Sequence, residues 1–218
     1  MTRGKFITFE GGEGTGKSTQ ARLLFERLKS SGMDVLLTRE PGGSPFAEQV
    51  RRLILDSATA PHSPLSEALL FSAARADHLE VAIRPALAAG RWVVCDRFSD
   101  STRVYQGAAG GLDDAVLDTL DRVVIQGTMP DLTIILDLPP EAGLARASSR
   151  RVAGHAGAQA DAYEQRDLLF HRKLRAGYQA IAKAEPLRCI LLDGAKGEDE
   201  IAAELWAEVE RRLLQNGR

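Results

Sequence analysis

Phe6-Ile7-Thr8-Phe9-Glu10-Gly11-Gly12-Glu13-Gly14-Thr15-Gly16-Lys17-Ser18-Thr19 decides how the rest of the chain is read. An apolar run leads into it, and the helix-like Gln20-Ala21-Arg22-Leu23-Leu24-Phe25-Glu26-Arg27-Leu28 follows. From Gly11 to Ser18 the spacing is G-x-x-x-x-G-K-[ST]. Glycines let a backbone wrap a phosphate at φ values that a Cβ penalises. The freed N–H groups and the next helix's N-terminus then face the anion. Lys17 supplies a mobile cation for the outer phosphates, and Ser18 a hydroxyl for Mg²⁺. A glycine-rich turn with an accidental lysine is the bland alternative, and the strand before and helix after argue against it. Gly11, Gly12, Glu13, Gly14, Thr15, Gly16, Lys17, Ser18 and Thr19 are therefore expected to hold a nucleoside triphosphate.

Around this loop, β-branched runs alternate with helical stretches. Strands are expected at 5–10, 34–38, 92–96, 132–138 and 188–193, all nearly continuous in apolar residues, as strands covered on both faces should be. Helices are expected at about 44–56, 63–89, 113–126, 144–151, 161–184 and 198–214, with Ser-Pro or glycine signals at several ends. The alternation predicts an α/β fold, a five-stranded parallel sheet with helices on both faces. Ligands of such sheets sit beyond the strands' carboxyl ends. The small-residue stretch 152–160, flanked by Arg150 and Arg151 and by the helix expected from 161, reads as a lid, about 148–162. With 218 residues, no linker and no internal repeat, one domain over 1–218 is expected.

Composition narrows the ligand. The net charge is −2, so a nucleic acid is not the expected partner. No run of 18 apolar residues predicts a membrane span. The N-terminus runs straight into a strand, which points to the cytoplasm. Cys95 and Cys189 lie in apolar runs and read as reduced, buried thiols. His62, His78, His155 and His171 show no metal-ligand spacing and read as surface or core residues.

The remaining chemistry is placed at strand ends. Asp96, closing the third strand, is positioned for Mg²⁺ or its water shell. Arg97 beside it has the planar fork for an anion. Arg39-Glu40-Pro41-Gly42-Gly43 predicts a tight turn where backbone approaches a ligand. Phe71 and Arg75 are four apart on one helix face, which suits stacking on a base plus an edge hydrogen bond. A phenylalanine on an amphipathic helix is also what a core position looks like. Thr102 and Gln106, four apart, offer a hydroxyl and an amide to a heterocycle edge. Arg146, Arg150 and Arg151 precede the small-residue loop, and suit either phosphoryl-charge neutralisation or a basic helix C-terminus.

Taken in order, these motifs make the chain resemble thymidylate kinases over nearly its whole length. The phosphate loop is shared by a large superfamily. Far more specific together are Thr38-Arg39-Glu40-Pro41-Gly42-Gly43, Leu70-Phe71-Ser72-Ala73-Ala74-Arg75, and Asp96-Arg97-Phe98 with Ser101, Thr102 and Tyr105-Gln106-Gly107; Pro130-Asp131-Leu132-Thr133 leads the fourth strand. The resemblance implies a P-loop nucleoside monophosphate kinase fold, and transfer of the ATP γ-phosphate to thymidine monophosphate with Mg²⁺. It implies that Phe71 stacks on thymine, Arg75 bonds its edge oxygen, and Thr102 and Gln106 face the remaining edge. Tyr105 would lie against the deoxyribose and Glu13 would take the 3′-hydroxyl side. Arg39, Arg51 and Arg97, with the Pro41 turn, would surround the acceptor phosphate, and Arg146 would lie against adenine. A homodimer joined through middle helices is also implied. Thr15 stands where some members carry a loop arginine, so the chain looks like the bacterial kind, whose catalytic cation comes from the lid. That kind often has an arginine after the lid aspartate. Here Asp161-Ala162-Tyr163-Glu164-Gln165 has alanine, so the cation is expected from Arg150 or Arg151, with Arg166 next.

Two other readings compete. One is a monophosphate kinase for another base, which the Phe71, Arg75, Thr102 and Gln106 set argues against. The other is a nucleotide-binding switch, which would need no second anion pocket.

Overall fold

The computed structural model describes residues 3–56, 62–152 and 162–215, with the backbone alone for 150–152. Five parallel strands, β1 (Phe6–Glu10), β2 (Val35–Arg39), β3 (Trp92–Asp96), β4 (Leu132–Asp137) and β5 (Cys189–Asp193), form one sheet in the order β2-β3-β1-β4-β5. All start and stop within one residue of expectation. The register pairs Phe9 and Arg39 with Asp96, Glu10 with Ile135, and Asp137 with Asp193. Every polar strand end therefore arrives at the same edge of the sheet.

Alternation along the strands sorts the core onto two faces. Ile7, Phe9, Val94, Ile134 and Leu136 join Leu24 and Leu28 of α1 (Lys17–Ser30) and Leu205 and Trp206 of α9 (Glu198–Val209). Phe6, Val93 and Cys95 face the opposite way, onto Leu79, Ile83 and Phe98. Ile135 and Cys189 meet Leu174 and Tyr178 of α8 (Leu168–Ala184). Both cysteines are buried and unpaired, as expected.

The helices refine the sequence reading. Ser44 and Ser63 cap α2 (Pro45–Leu55) and α3 (Pro64–His78), each followed by proline at the first position. The long helix expected over 63–89 is not uniform. After His78 it widens into a π-turn at Leu79–Ile83 before α4 (Arg84–Ala88). Pro85 supplies the reason: it has no N–H to donate, and its ring would strike the carbonyl four residues back in a regular helix. A helix that periodicity missed, α5 (Ser99–Thr102), runs into another π-turn, Arg103–Ala109. It is too short and polar to show a stripe. Asp113 caps α6 (Asp114–Ile125), and Gln126 and Gly127 end it at positive φ. The helix expected at 144–151 is α7 (Pro140–Val152), which starts earlier because Pro140 opens it. The one expected from 161 starts at 168, where Asp167 accepts from the Phe170 N–H at 2.7 Å. Of the lid expected at 148–162, residues 153–161 lie outside the described residues.

Candidate active site

The cleft opens beyond the strand ends, between the phosphate loop and α2, α3 and α5. Glycine makes the loop possible: Gly11, Gly14 and Gly16 all have positive φ, at 135°, 68° and 95°. Gly16 caps α1 without any side-chain bond, so the first N–H groups of the helix stay available. Gly14 also lies against α7, where a Cβ would come within 1.9 Å of the Gly143 carbonyl oxygen.

Lys17 folds back into the loop. Its Nζ donates to Gly12 O at 2.6 Å. Burial, then the nearby Arg97, lowers its ammonium to about 8. Ser18 Oγ donates to Asp96 Oδ2, so the two side chains expected at the metal meet. Asp96 Oδ1 is buried and has no hydrogen-bond partner among the described residues. Thr15 Oγ1 donates to Gly12 O at 3.1 Å and rigidifies the turn. Thr19 is half-buried and does not line the cleft.

Arg97 is the pivot between loop and acceptor side. It follows β3 in the left-handed region, at φ 70°, a conformation an arginine holds only when its surroundings insist. Its guanidinium donates to Glu13 Oε1 at 2.8 Å, Gly11 O at 3.2 Å and Ser101 Oγ at 3.2 Å, and it lies 5.0 Å from the Tyr105 ring centroid. Tyr105 OH donates to the same Glu13 oxygen at 2.6 Å. Burial alone would raise the Glu13 carboxyl, but Arg97, Lys17 and Tyr105 together hold it down at about 2.

Behind this pivot lies Glu10, fully buried. It accepts from Phe98 N–H at 2.8 Å, Ser101 Oγ at 2.6 Å and Tyr178 OH at 3.1 Å. Burial, then repulsion from Asp100, pushes its carboxyl up to about 7. Composition and spacing gave no sign of Glu10 or Tyr178, because each becomes polar-partnered only when β1, α5 and α8 are brought together.

The far end of the cleft is aromatic and buried. Phe71 and Arg75 line it, as their helical spacing implied, together with Thr102, Tyr105 and Gln106. Arg75 is nearly inaccessible. Nε donates to Glu40 Oε2 at 2.7 Å, and Nη2 to Phe98 O and Thr102 Oγ1, both at 3.1 Å. Glu40 in turn meets His78 Nδ1 at 3.1 Å, whose Nε2 lies 2.8 Å from Thr38 Oγ1. His78, read as a surface or core residue, is thus a fully buried partner of Glu40. Tyr163 is a cleft residue that sequence reasoning missed. It lies edge-on to Tyr105, 5.4 Å between centroids, and 6.2 Å from Phe71.

Among the described residues, three arginines reach the cleft between these ends. The Glu40–Pro41 peptide is cis, and Gly42 and Gly43 have positive φ, so Arg39-Glu40-Pro41-Gly42-Gly43 forms the expected tight turn. Arg51 Nη1 donates to Pro41 O at 2.7 Å, and Arg39 pairs with Glu48 at 3.1 Å. With Arg97 both line the cleft. Arg146 does not. Its Nη1 donates to Gly194 O at 2.7 Å, tying α7 to the end of β5. The side chains of Arg150 and Arg151 lie outside the described residues. Arg166 pairs with Glu67 at 3.1 Å. Among the described residues no three His, Cys, Asp or Glu side chains cluster as a metal site.

The comparisons with known proteins agree. A thymidylate kinase family model matches residues 9–205. A thymidylate kinase of Nitrobacter winogradskyi is 51% identical over 212 residues, covering 97% of this chain and 90% of that one. One from Caulobacter vibrioides is also 51% identical, over 98% of this chain and 99% of its own length. The crystal structure of thymidylate kinase from Ehrlichia chaffeensis superposes with a TM-score of 0.75 at 34% identity, covering 95% of this chain and 99% of that one. With a phosphate loop, an arginine-lined middle and an aromatic far end in one cleft, and with relatives that match it from end to end, the chain belongs to the thymidylate kinase family.

Proposed function

We propose that this enzyme moves the γ-phosphoryl group of ATP onto the phosphate of thymidine monophosphate, yielding ADP and thymidine diphosphate for dTTP synthesis. The observation that carries the reading is the continuity of the cleft: Lys17 and the glycine loop at one end, Arg39, Arg51 and Arg97 in the middle, Phe71 and Arg75 at the other. A monophosphate's second pKa is about 6, so the acceptor is already a dianion at neutral pH and needs no general base. One of its oxygens bonds to the γ-phosphorus as the bond to the β–γ bridging oxygen breaks. The difficulty is bringing two anions together in line, and cations offset that repulsion.

The roles follow. The backbone of Gly11–Thr19 cradles the ATP phosphates, and Lys17 tracks the β and γ groups. Arg39, Arg51 and Arg97, beside Pro41, hold the acceptor phosphate. Phe71 stacks on thymine, Arg75 reaches its edge oxygen, and Thr102 and Gln106 take the rest of the edge. Tyr105 lies against the deoxyribose, and Glu13 takes the 3′-hydroxyl. Arg146, which bonds Gly194 O outside the cleft's lining, is assigned to an adenine that projects past that lining, and Arg150 or Arg151 to the transition-state charge. Ser18 and Asp96 would hold Mg²⁺; Asp96 Oδ1, without a partner among the described residues, supports that fit, since Mg²⁺ takes few protein ligands beside phosphate and water. Bound there, the ion would screen the phosphate oxygens.

We place the enzyme in the cytoplasm as one domain over 1–218, a placement that the free buried thiols suit. No helix among the described residues is long and apolar enough to cross a membrane. A homodimer is supported by apolar side chains left exposed on adjoining helices: Phe46 and Leu53 on α2, Leu65 and Leu69 on α3, Val123 on α6.

The test is ADP release from Mg-ATP with the monophosphates of thymidine, deoxyuridine, uridine, cytidine and adenosine. Strong preference for thymidine monophosphate is expected; preference for any other acceptor overturns the reading. Unchanged turnover in the Arg150→Ala, Arg151→Ala double variant would move the lid role to Arg166.

A further inference from the structure

Gln106 lines the cleft and is only 1% exposed. Its Nε2 donates to Glu67 Oε2 at 3.0 Å and to Tyr163 OH at 3.3 Å. Its Oε1 is buried and has no hydrogen-bond partner among the described residues. A buried acceptor left open at a ligand cleft costs stability unless the ligand supplies the donor.

The two ends of a side-chain amide have almost the same shape, so something must choose which faces the ligand. Glu67 makes that choice. An ionised carboxylate only accepts, and a flipped amide would set oxygen against oxygen at the 3.0 Å contact. Glu67 is itself held. It is buried, and its other oxygen accepts from Arg166 Nη2 at 3.1 Å. The Arg166 guanidinium lies 5.9 Å from the Tyr163 ring centroid and 5.3 Å from that of Phe170, which restrains it in turn.

We infer that Glu67 and Arg166 are positioning residues for base selection: they lock the Gln106 amide with its acceptor toward the ligand, so the cleft takes a pyrimidine that carries a ring N–H. Thymine presents N3–H to that oxygen. Cytosine presents a lone pair at N3 and is repelled. The inference rests on the base lying between Phe71 and the Thr102–Gln106 edge. Thr102 cannot make this distinction, because a hydroxyl donates or accepts with equal ease. Arg75 is a second filter, facing the ring's exocyclic oxygen with donors only. Releasing Gln106 therefore relaxes selection without abolishing it.

Glu67→Gln tests this, since an amide at 67 pairs with either orientation of Gln106. The readout is kcat/KM for thymidine monophosphate and deoxycytidine monophosphate, measured by ADP release. The ratio of the two is expected to fall about tenfold or more, mainly through KM. In a Gln106→Ala background, Glu67→Gln should move the ratio no further. Arg166→Gln, at a partly exposed site, should shift it in the same direction by less. Equal losses for both substrates, or the same shift in the Gln106→Ala background, would reduce Glu67 to a structural residue and overturn the inference. If Glu67→Gln does not fold, an unmoved ratio in Arg166→Gln overturns it instead. Wild-type enzyme that fails to prefer thymidine monophosphate would sink the functional reading, and this inference with it.

Discussion

Lys17 occupies a place that disfavours its own charge. Burial and Arg97 lower its ammonium to about 8, against the pull of Glu13, Asp96 and Glu10. A bound triphosphate reverses that balance. Hence kcat/KM for ATP, which reports the free enzyme, should fall as pH rises through about 8, while kcat should hold to higher pH. Initial rates of ADP release between about pH 6.5 and 9.5 check this; coincident falls in both parameters would contradict it. For stability the sign is opposite. The unfolded lysine keeps its proton to a higher pH than the folded one, so the burial cost is present below about 8 and is relieved as pH rises toward the unfolded value. Lys17→Ala should lower kcat by about 10²–10³-fold. Glu40 is a different case. It is the buried counter-ion of Arg75, at 2.7 Å, and carries His78 on its other oxygen. Glu40→Ala strands the arginine charge and should cost about 3–5 kcal/mol in urea unfolding. An unaltered midpoint would show that Arg75 finds another partner.

At the scale of elements, the phosphate loop and α7 meet through two glycines. A Cβ on Gly143 would come within 2.2 Å of the Glu13 carbonyl oxygen, and one on Gly14 within 1.9 Å of the Gly143 carbonyl oxygen. Backbone cannot yield as a flexible side chain does. Gly143→Ala should therefore push α7 off the loop, costing about 1–3 kcal/mol and raising KM for ATP more than KM for the acceptor. Thermal melting and two-substrate kinetics check it; equal changes in the two KM values would mean that the strain is absorbed away from the loop. The strands, the two Ser-Pro helix starts and the glycine loop were all legible from residue types, because each is a local pattern. The π-turn at Leu79–Ile83 and the helix at Ser99–Thr102 were not. The first answers to one proline within a continuous stripe, and the second is too short to show a period.

Over the whole molecule, the exposed apolar residues of α2, α3 and α6 argue for a second copy of the chain. Light scattering should give about twice the 23.6 kDa of one chain. Leu69→Asp with Phe46→Asp should halve that mass; a monomeric wild type would remove the proposed dimer. What the sequence determined by itself was the phosphate loop, the parallel α/β order, and a cleft reading placed at strand ends, all carried by spacing within short segments. It also placed Phe71 with Arg75 on a common helix face, and noted that Thr102 and Gln106 stand four apart. Folding alone sets Glu40 and His78 behind Arg75, Glu10 and Tyr178 beneath Arg97, and Glu67 against Gln106. Each of those contacts joins residues 35 to 168 positions apart. A buried charge must find its partner wherever packing brings one, and no local period records where that will be.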